Sequence, residues 1–156
     1  RIRFFRQTHL QMADAEQFRF ILAETRKLFY SHPMVIPDTV SVRLEKVEQA
    51  LAVLRLESGV KTRDYQEFMA VAEDLNLRII ELVHDAGAVF SGPGQVLQVR
   101  EFKQATEEEM SRVQAILQEW REQDRQPFPD YSEEEIETFR DSLEFPPRGT
   151  SNAKQS

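Results

Sequence analysis

The amino-acid sequence predicts an α+β domain that is followed by an acidic helical tail. Three observations support this fold class. Some segments alternate apolar and polar residues at the period of a β-strand, and others repeat apolar residues every three to four positions after a helix-capping residue. The formal net charge of −7 arises entirely after residue 103, because residues 1–103 carry 14 basic and 14 acidic side chains. The last third of the chain therefore differs in kind from the rest.

The first half of the domain is predicted as strand, helix and hairpin. Residues 1–12 form the strand, whose apolar face is Ile2, Phe4, Thr8, Leu10 and Met12. The helix begins at the acidic N-cap Asp14 and ends before Pro33, because proline has no backbone N–H with which to continue a helix. The hairpin strands are predicted over 40–44 and 50–56, with the polar stretch 46–49 as their turn.

A second helix runs from the capping box at Asp64 and Glu67 to Gly87, and an extended segment follows at 88–90. The order strand, helix, strand, strand, helix, strand places both helices on one face of an antiparallel sheet, which is the ferredoxin-like β-α-β-β-α-β sandwich. The residues predicted to fill its core are Phe18, Leu22, Phe29, Phe68, Leu75 and Ile79.

The chain is thus divided into a ferredoxin-like domain (1–94), one further strand (95–103), an acidic helical extension (104–145) and a disordered tail (146–156). The further strand follows a Gly-Pro-Gly kink and would have no partner within its own sheet. Because open strand edges are avoided, we expect copies from several subunits to pair into a closed barrel. The residues of this assembly strand are Gln95, Val96, Leu97, Gln98 and Val99.

The extension carries one apolar helix face, and we expect this face to dock on the domain, on a neighbouring subunit or on its own copies. Its residues are Met110, Val113, Leu117 and Trp120.

No residue pattern predicts a catalytic, metal or cofactor site, so an enzyme is not expected. The chain has no cysteine, and its three histidines, His9, His32 and His84, lie on different elements without converging partners. His32 is interpreted as a partly exposed capping imidazole at a helix end. Exposed aromatics on a sheet can stack RNA bases, but the balanced charge of the domain and the acidic tail argue against nucleic acid.

The segments 62–68 (TRDYQEF) and 73–79 (EDLNLRI), then Ala86-Gly87 and Pro93-Gly94-Gln95, resemble the C-terminal cytoplasmic domain of small-conductance mechanosensitive channels, the MscS family. The resemblance covers about residues 1–102 and includes the upstream strand, helix and hairpin in the same order. The chain begins at Arg1 without an initiator methionine or a signal-peptide pattern, which predicts a piece of a longer protein. No apolar run approaches the roughly 18 residues of a membrane span.

The resemblance implies a subunit of a heptamer in the cell membrane, with this domain on the cytoplasmic side. The domain would help to form a vestibule with portals below a tension-gated pore, and the strand after Gly94 would close a small barrel among the subunits. An upstream membrane-spanning region of the same chain would be its partner. The alternative from another class is a ferredoxin-like regulatory domain that binds a small molecule within a larger protein.

Overall fold

The structure is a computed structural model, and it describes residues 2–11, 14–91, 106–123 and 131–146. Both predicted helix starts in the domain are confirmed. Asp14 and Asp64 are N-caps, and each side chain accepts a hydrogen bond of 2.9 Å from the backbone N–H two residues later. The elements, in chain order, are β1 (Ile2–Gln11), α1 (Ala15–Ser31), β2 (Val35–Glu48), β3 (Leu51–Val60), α2 (Tyr65–Asp85), α3 (Glu107–Glu122) and α4 (Glu133–Phe139).

The described strands form one antiparallel sheet in the order β1-β3-β2. The hairpin of β2 and β3 is longer than predicted, and the predicted turn at 46–49 is wrong. Lys46 and its neighbours continue β2, and the turn consists of Gln49 and Ala50, whose φ angles are 48° and 63°. Polar residues are tolerated at the end of β2 because residues 43–48 are all exposed, so neither face of the sheet is covered there.

Helices α1 and α2 cover one face of this sheet and enclose the core. Five of the six residues predicted for the core are buried, and Phe68 is half-buried and packs against the same cluster. From the sheet, Phe4, Leu10 and Leu56 contribute to it, and Phe4 contacts Phe29 of α1 with 5.7 Å between ring centroids. The α+β class is therefore confirmed as a small antiparallel sheet with helices on one face.

The predicted fourth strand is reduced to one bridge in the described part of the chain. Phe90 pairs with Leu10 in antiparallel fashion beside β1, and the Gln11 N–H donates to the Val89 carbonyl at 2.9 Å. The assembly strand predicted at 95–103 lies outside the described residues, as does the predicted disordered tail apart from Pro146.

Candidate functional site: a docking surface for the acidic tail

Helix α1 is buried on two sides, which is unusual for the outer layer of a two-layer domain. One side faces the sheet through Phe18, Ile21 and Phe29. The other side points away from the sheet, yet Phe20 and Tyr30 are also buried there. A helix with buried apolar residues on two sides requires a second covering layer. Here the acidic tail supplies that layer.

Helix α3 packs against α1 and carries the four residues predicted as a docking face. Val113 and Leu117 are buried and belong to the core cluster, and Met110 is half-buried. Trp120 is also half-buried, and its ring stacks on Phe20 with 6.2 Å between centroids and 16° between planes. Such offset aromatic pairs add about 0.5–1.5 kcal/mol beyond the burial of their area.

The two ends of α3 are fixed by polar contacts to different helices of the domain. Near its start, Arg112 donates to the backbone carbonyl of Asp85, where the dipole of α2 places partial negative charge. Near its end, Arg121 pairs with Glu16 in the first turn of α1, with 2.5 Å between nitrogen and oxygen. Both arginines are surface groups, so their main effect is to set the direction of α3 rather than to supply stability.

The segment around α4 covers the second half of α1. The Tyr131 hydroxyl donates to the Ala23 carbonyl at 3.2 Å, and the Tyr131 ring meets Tyr30 and Phe139 edge to face. The Lys27 ammonium lies 5.4 Å from the centroid of the Phe139 ring, within cation–π range. Helix α4 begins at a capping box formed by Ser132 and Glu135, which is a local signal in the sequence, but nothing local in the sequence indicates these partners.

A buried polar junction joins α1, α2 and the residues after α4. His32 and Asp74 are both buried, with 3.1 Å between Nε2 and Oδ2. The Met34 N–H donates to Nδ1 of the same ring at 3.1 Å, so Nδ1 is the acceptor and Nε2 carries the proton. Arg78 donates from Nε to the same Asp74 oxygen at 2.9 Å.

The residues after α4 cover this junction from outside. The Phe145 ring lies 4.9 Å from the His32 ring, Arg78 also donates to the Glu144 carbonyl at 3.0 Å, and the Leu143 N–H donates to the Ser31 carbonyl at 3.0 Å. The interpretation of His32 as a partly exposed cap is therefore wrong. Its backbone does cap α1, but the C-terminal segment buries its ring, and no local pattern in the sequence reveals that cover.

Burial governs the electrostatics of this junction. Desolvation lowers the pKa of His32 below its ordinary value, and the facing Asp74 carboxylate opposes that shift, while Arg78 and Lys61 lower the pKa further. A histidine–carboxylate pair is a common acid–base element. In this junction both ring nitrogens are engaged and the ring is covered by Phe145, so it has no nitrogen available to a substrate.

A cleft of about 460 Å³ lies between α1, α2 and α3. The side chains that line this cleft include two basic residues, Lys27 and Arg112, and two acidic residues, Glu24 and Glu81. Apolar residues such as Ile116 also line it. Burial raises the pKa of Glu24, and the nearby Lys27 opposes this effect. Among residues 2–11, 14–91, 106–123 and 131–146, no group of three potential ligands could hold a metal ion.

The other sequence-predicted residues are not brought together. His84 is exposed on α2 and His9 is half-buried on β1. The assembly strand, Gln95 to Val99, lies outside the described residues. Sequence reasoning missed the outward apolar face of α1, although Phe20 and Tyr30 in the sequence fall off the sheet-facing stripe and indicate a second covered side.

Known proteins resemble this chain in sequence and in fold. No family model matches the chain. An uncharacterised MscS family protein of Aquifex aeolicus (strain VF5) is 33% identical over 81 residues, which are 51% of this chain and 22% of that protein. The predicted resemblance to the MscS family is confirmed. The chain thus spans less than a quarter of this MscS relative.

Solved structures of Arabidopsis thaliana MSL1 share the fold. The wild-type structure and that of its A320V variant each superpose with a TM-score of 0.54 at 16% identity and cover 58% of this chain. The chain covers 35% of the variant chain and 33% of the wild-type chain. None of the helices in the described part of the chain combines the length and apolar character of a membrane span.

Proposed function

We propose that this chain forms part of the cytoplasmic vestibule of a mechanosensitive ion channel, below a pore that opens under membrane tension. The observation that carries the proposal is the sequence similarity to an MscS family protein over half of the chain, joined to the fold that the chain shares with MSL1. Ions and small solutes would pass through portals between the assembled domains. The domain would act by its shape and its contacts rather than by chemistry.

The finer fold belongs to the same proposal. The bridge between Phe90 and Leu10 lies at the free edge of β1, where the fourth strand of a ferredoxin-like sheet belongs. We take residues 1–94 as this domain, 104–145 as a helical extension that docks on it, and 146–156 as a disordered tail.

Assembly is assigned to residues 95–103, and seven subunits is the number that the MscS resemblance implies. Copies of this strand would close a barrel and leave no open edge. Sedimentation of the chain over a concentration series, beside a full-length version with Val96→Ser, Leu97→Ser and Val99→Ser, tests the assignment, because this version keeps the helices that cover α1. We expect the chain to associate as its concentration rises and the substituted version to associate less. Equal association of the two would remove the strand from this role.

The membrane part of the channel is proposed to precede these residues in the same polypeptide, in the cell membrane, with this domain on the cytoplasmic side. The complete protein, expressed in bacteria that lack their own mechanosensitive channels, should raise survival after a sudden fall in external osmolarity. The same protein without residues 1–103 of this chain is the matched comparison. A complete protein that inserts in the membrane and gives no protection would contradict the proposal.

The regulatory-domain alternative is not favoured, because the curated relative is an MscS family protein. It makes a different prediction in a thermal-shift screen with amino acids and nucleotides. A regulatory module gains stability in proportion to ligand binding, whereas a vestibule domain does not.

A further inference from the structure

The residues that follow α4 lie over the end of α1 as a short strap, defined here as residues 142–145. The Leu143 N–H donates to the Ser31 carbonyl at 3.0 Å. The Phe145 ring lies 4.9 Å from the ring of His32, whose side chain is 0% exposed. Ser31 is the last residue of α1 and His32 is its C-cap. The strap therefore closes over one titratable group at the end of this helix.

The hydrogen bonds of His32 fit only the neutral ring. Nδ1 accepts from the Met34 N–H at 3.1 Å, and Nε2 lies 3.1 Å from a carboxylate oxygen of Asp74. An imidazole with its proton on Nε2 satisfies both partners, whereas both nitrogens of an imidazolium are donors. A second proton, on Nδ1, would face the Met34 N–H, so two donors would meet without an acceptor between them. The closed junction thus has no hydrogen-bonding arrangement for the charged ring.

The charges that face the ring come from α2 and from the segment before it. Burial has the largest effect and lowers the pKa of His32. The Asp74 carboxylate raises it, and Arg78 and Lys61 lower it further. Arg78 also donates to Asp74 at 2.9 Å and to the backbone carbonyl of Glu144 in the strap at 3.0 Å. The anion nearest to the ring is therefore shared with a cation that also holds the strap.

We propose that the strap is a pH-sensitive latch, in which protonation of His32 releases residues 142–145 from the junction while the rest of the domain stays folded. Leu143 and Phe145 are only half-buried, so the strap opens more readily than the elements beneath it. The other partners of the ring lie on α2 and just before β2, and both elements belong to the folded core. Release would widen the cleft between α1, α2 and α3, because Ser142 and Leu143 line it. The latch needs one chain only, so it does not depend on the proposed assembly.

The size of the effect follows from proton binding. In the released state His32 meets water and has its ordinary pKa of about 6.5. Its pKa in the closed state is lower, so the released state binds more protons, and the ratio of released to closed molecules rises as the pH falls below about 6.5. Between pH 7.5 and 5.0 this ratio rises by up to about 30-fold, the limit in which the closed form stays neutral.

Hydrogen exchange of single backbone amides, measured by NMR on the full chain, tests the latch. The Leu143 amide reports the strap, because it donates to the Ser31 carbonyl, and the amides paired between β1 and β3 report the sheet. After correction for intrinsic exchange rates, the protection of Leu143 should fall by up to about 30-fold between pH 7.5 and 5.0. The sheet amides should remain better protected than Leu143 at both pH values. Unchanged protection of Leu143 would overturn the latch, and so would equal protection of Leu143 and the sheet at pH 5.0, since release would then require unfolding of the domain.

Two variants identify the group that responds to pH. His32→Gln has no imidazole, so the protection of Leu143 should become independent of pH over this range. A dependence that persists in this variant would assign the response to another group and overturn the proposal.

The reciprocal variant acts from the strap and leaves His32 in place. Phe145→Ala removes the cover of the ring, so the pKa of His32, read from its ring resonances, should rise towards about 6.5. The matched control is Phe5→Ala, since Phe5 is 54% exposed on β1, and it should leave that pKa unchanged. Equal pKa values of His32 in the original chain and in Phe145→Ala would show that strap and proton are not coupled, which also overturns the latch.

Discussion

Replacement of Leu117 by alanine tests whether the acidic tail is part of the folded domain. Leu117 lies on α3, is 3% exposed and belongs to the core cluster. The substitution removes three carbon atoms at about 0.8 kcal/mol each, or about 2.4 kcal/mol in transfer free energy. The cavity that remains brings the expected cost to about 2–5 kcal/mol. If α3 detaches before the domain unfolds, the loss is limited to the free energy of docking.

Trp120 is the assay, because it is the only tryptophan in the chain and stacks on Phe20. We expect Leu117→Ala to shift the tryptophan emission towards that of a water-exposed ring at low urea, while far-ultraviolet circular dichroism keeps the signal of the sheet and the two large helices. Gln114→Ala is the matched control, since Gln114 is exposed on the same helix, and it should change stability by less than about 0.5 kcal/mol. Identical urea curves and emission for the two variants would refute the docking argument.

Three other predictions concern the domain itself. Lowering the pH below about 6.5 should reduce the free energy of unfolding, because the folded-state pKa of His32 lies below that ordinary value and the unfolded chain binds the proton more readily. His32→Gln should reduce the change in the free energy of unfolding with pH. If urea titrations give the same pH dependence for the variant and the original chain, the prediction is wrong. Gln49→Asn with Ala50→Gly should raise the free energy of unfolding by about 1 kcal/mol, because Asn and Gly adopt the left-handed backbone conformation of these two positions with less strain. A destabilised double variant would contradict the assignment of the turn to Gln49 and Ala50. Ile79→Ala should cost about 2–5 kcal/mol and Phe68→Ala less, since only Ile79 is fully buried; the reverse order in thermal unfolding would contradict the assigned burial.

The helices of the domain were predictable because their signals are local. The Asp14 and Asp64 caps fix the starts of α1 and α2, and the stripe that includes Leu75 and Ile79 identifies the buried face of α2. Strand limits were less predictable. β2 continues through polar residues to Glu48 because both faces of its last six residues are exposed, so no apolar alternation marks the strand there. Its turn also lacks the glycine that ordinarily marks such a turn.

The docking surface was predictable only in part, because its contacts are long-range. Periodicity identified the apolar face of α3 but not its partner, which is set by the second apolar side of α1 around Phe20. The junction of His32 and Asp74 joins residues 42 positions apart. Its cover by Phe145 comes from the other end of the chain. Such long-range contacts produce no periodic pattern in the sequence. His32 was therefore predicted to be partly exposed although it is buried.

We propose that this chain belongs to the cytoplasmic part of a channel that responds to membrane tension. Electrical recording from membrane patches that contain the complete protein, during stepwise suction, tests it most directly. We expect a conductance that is closed at rest and opens above a threshold of suction, with no such current in patches from cells that lack the gene. A complete protein that is present in the patch and yields no current at any suction below membrane rupture would contradict it.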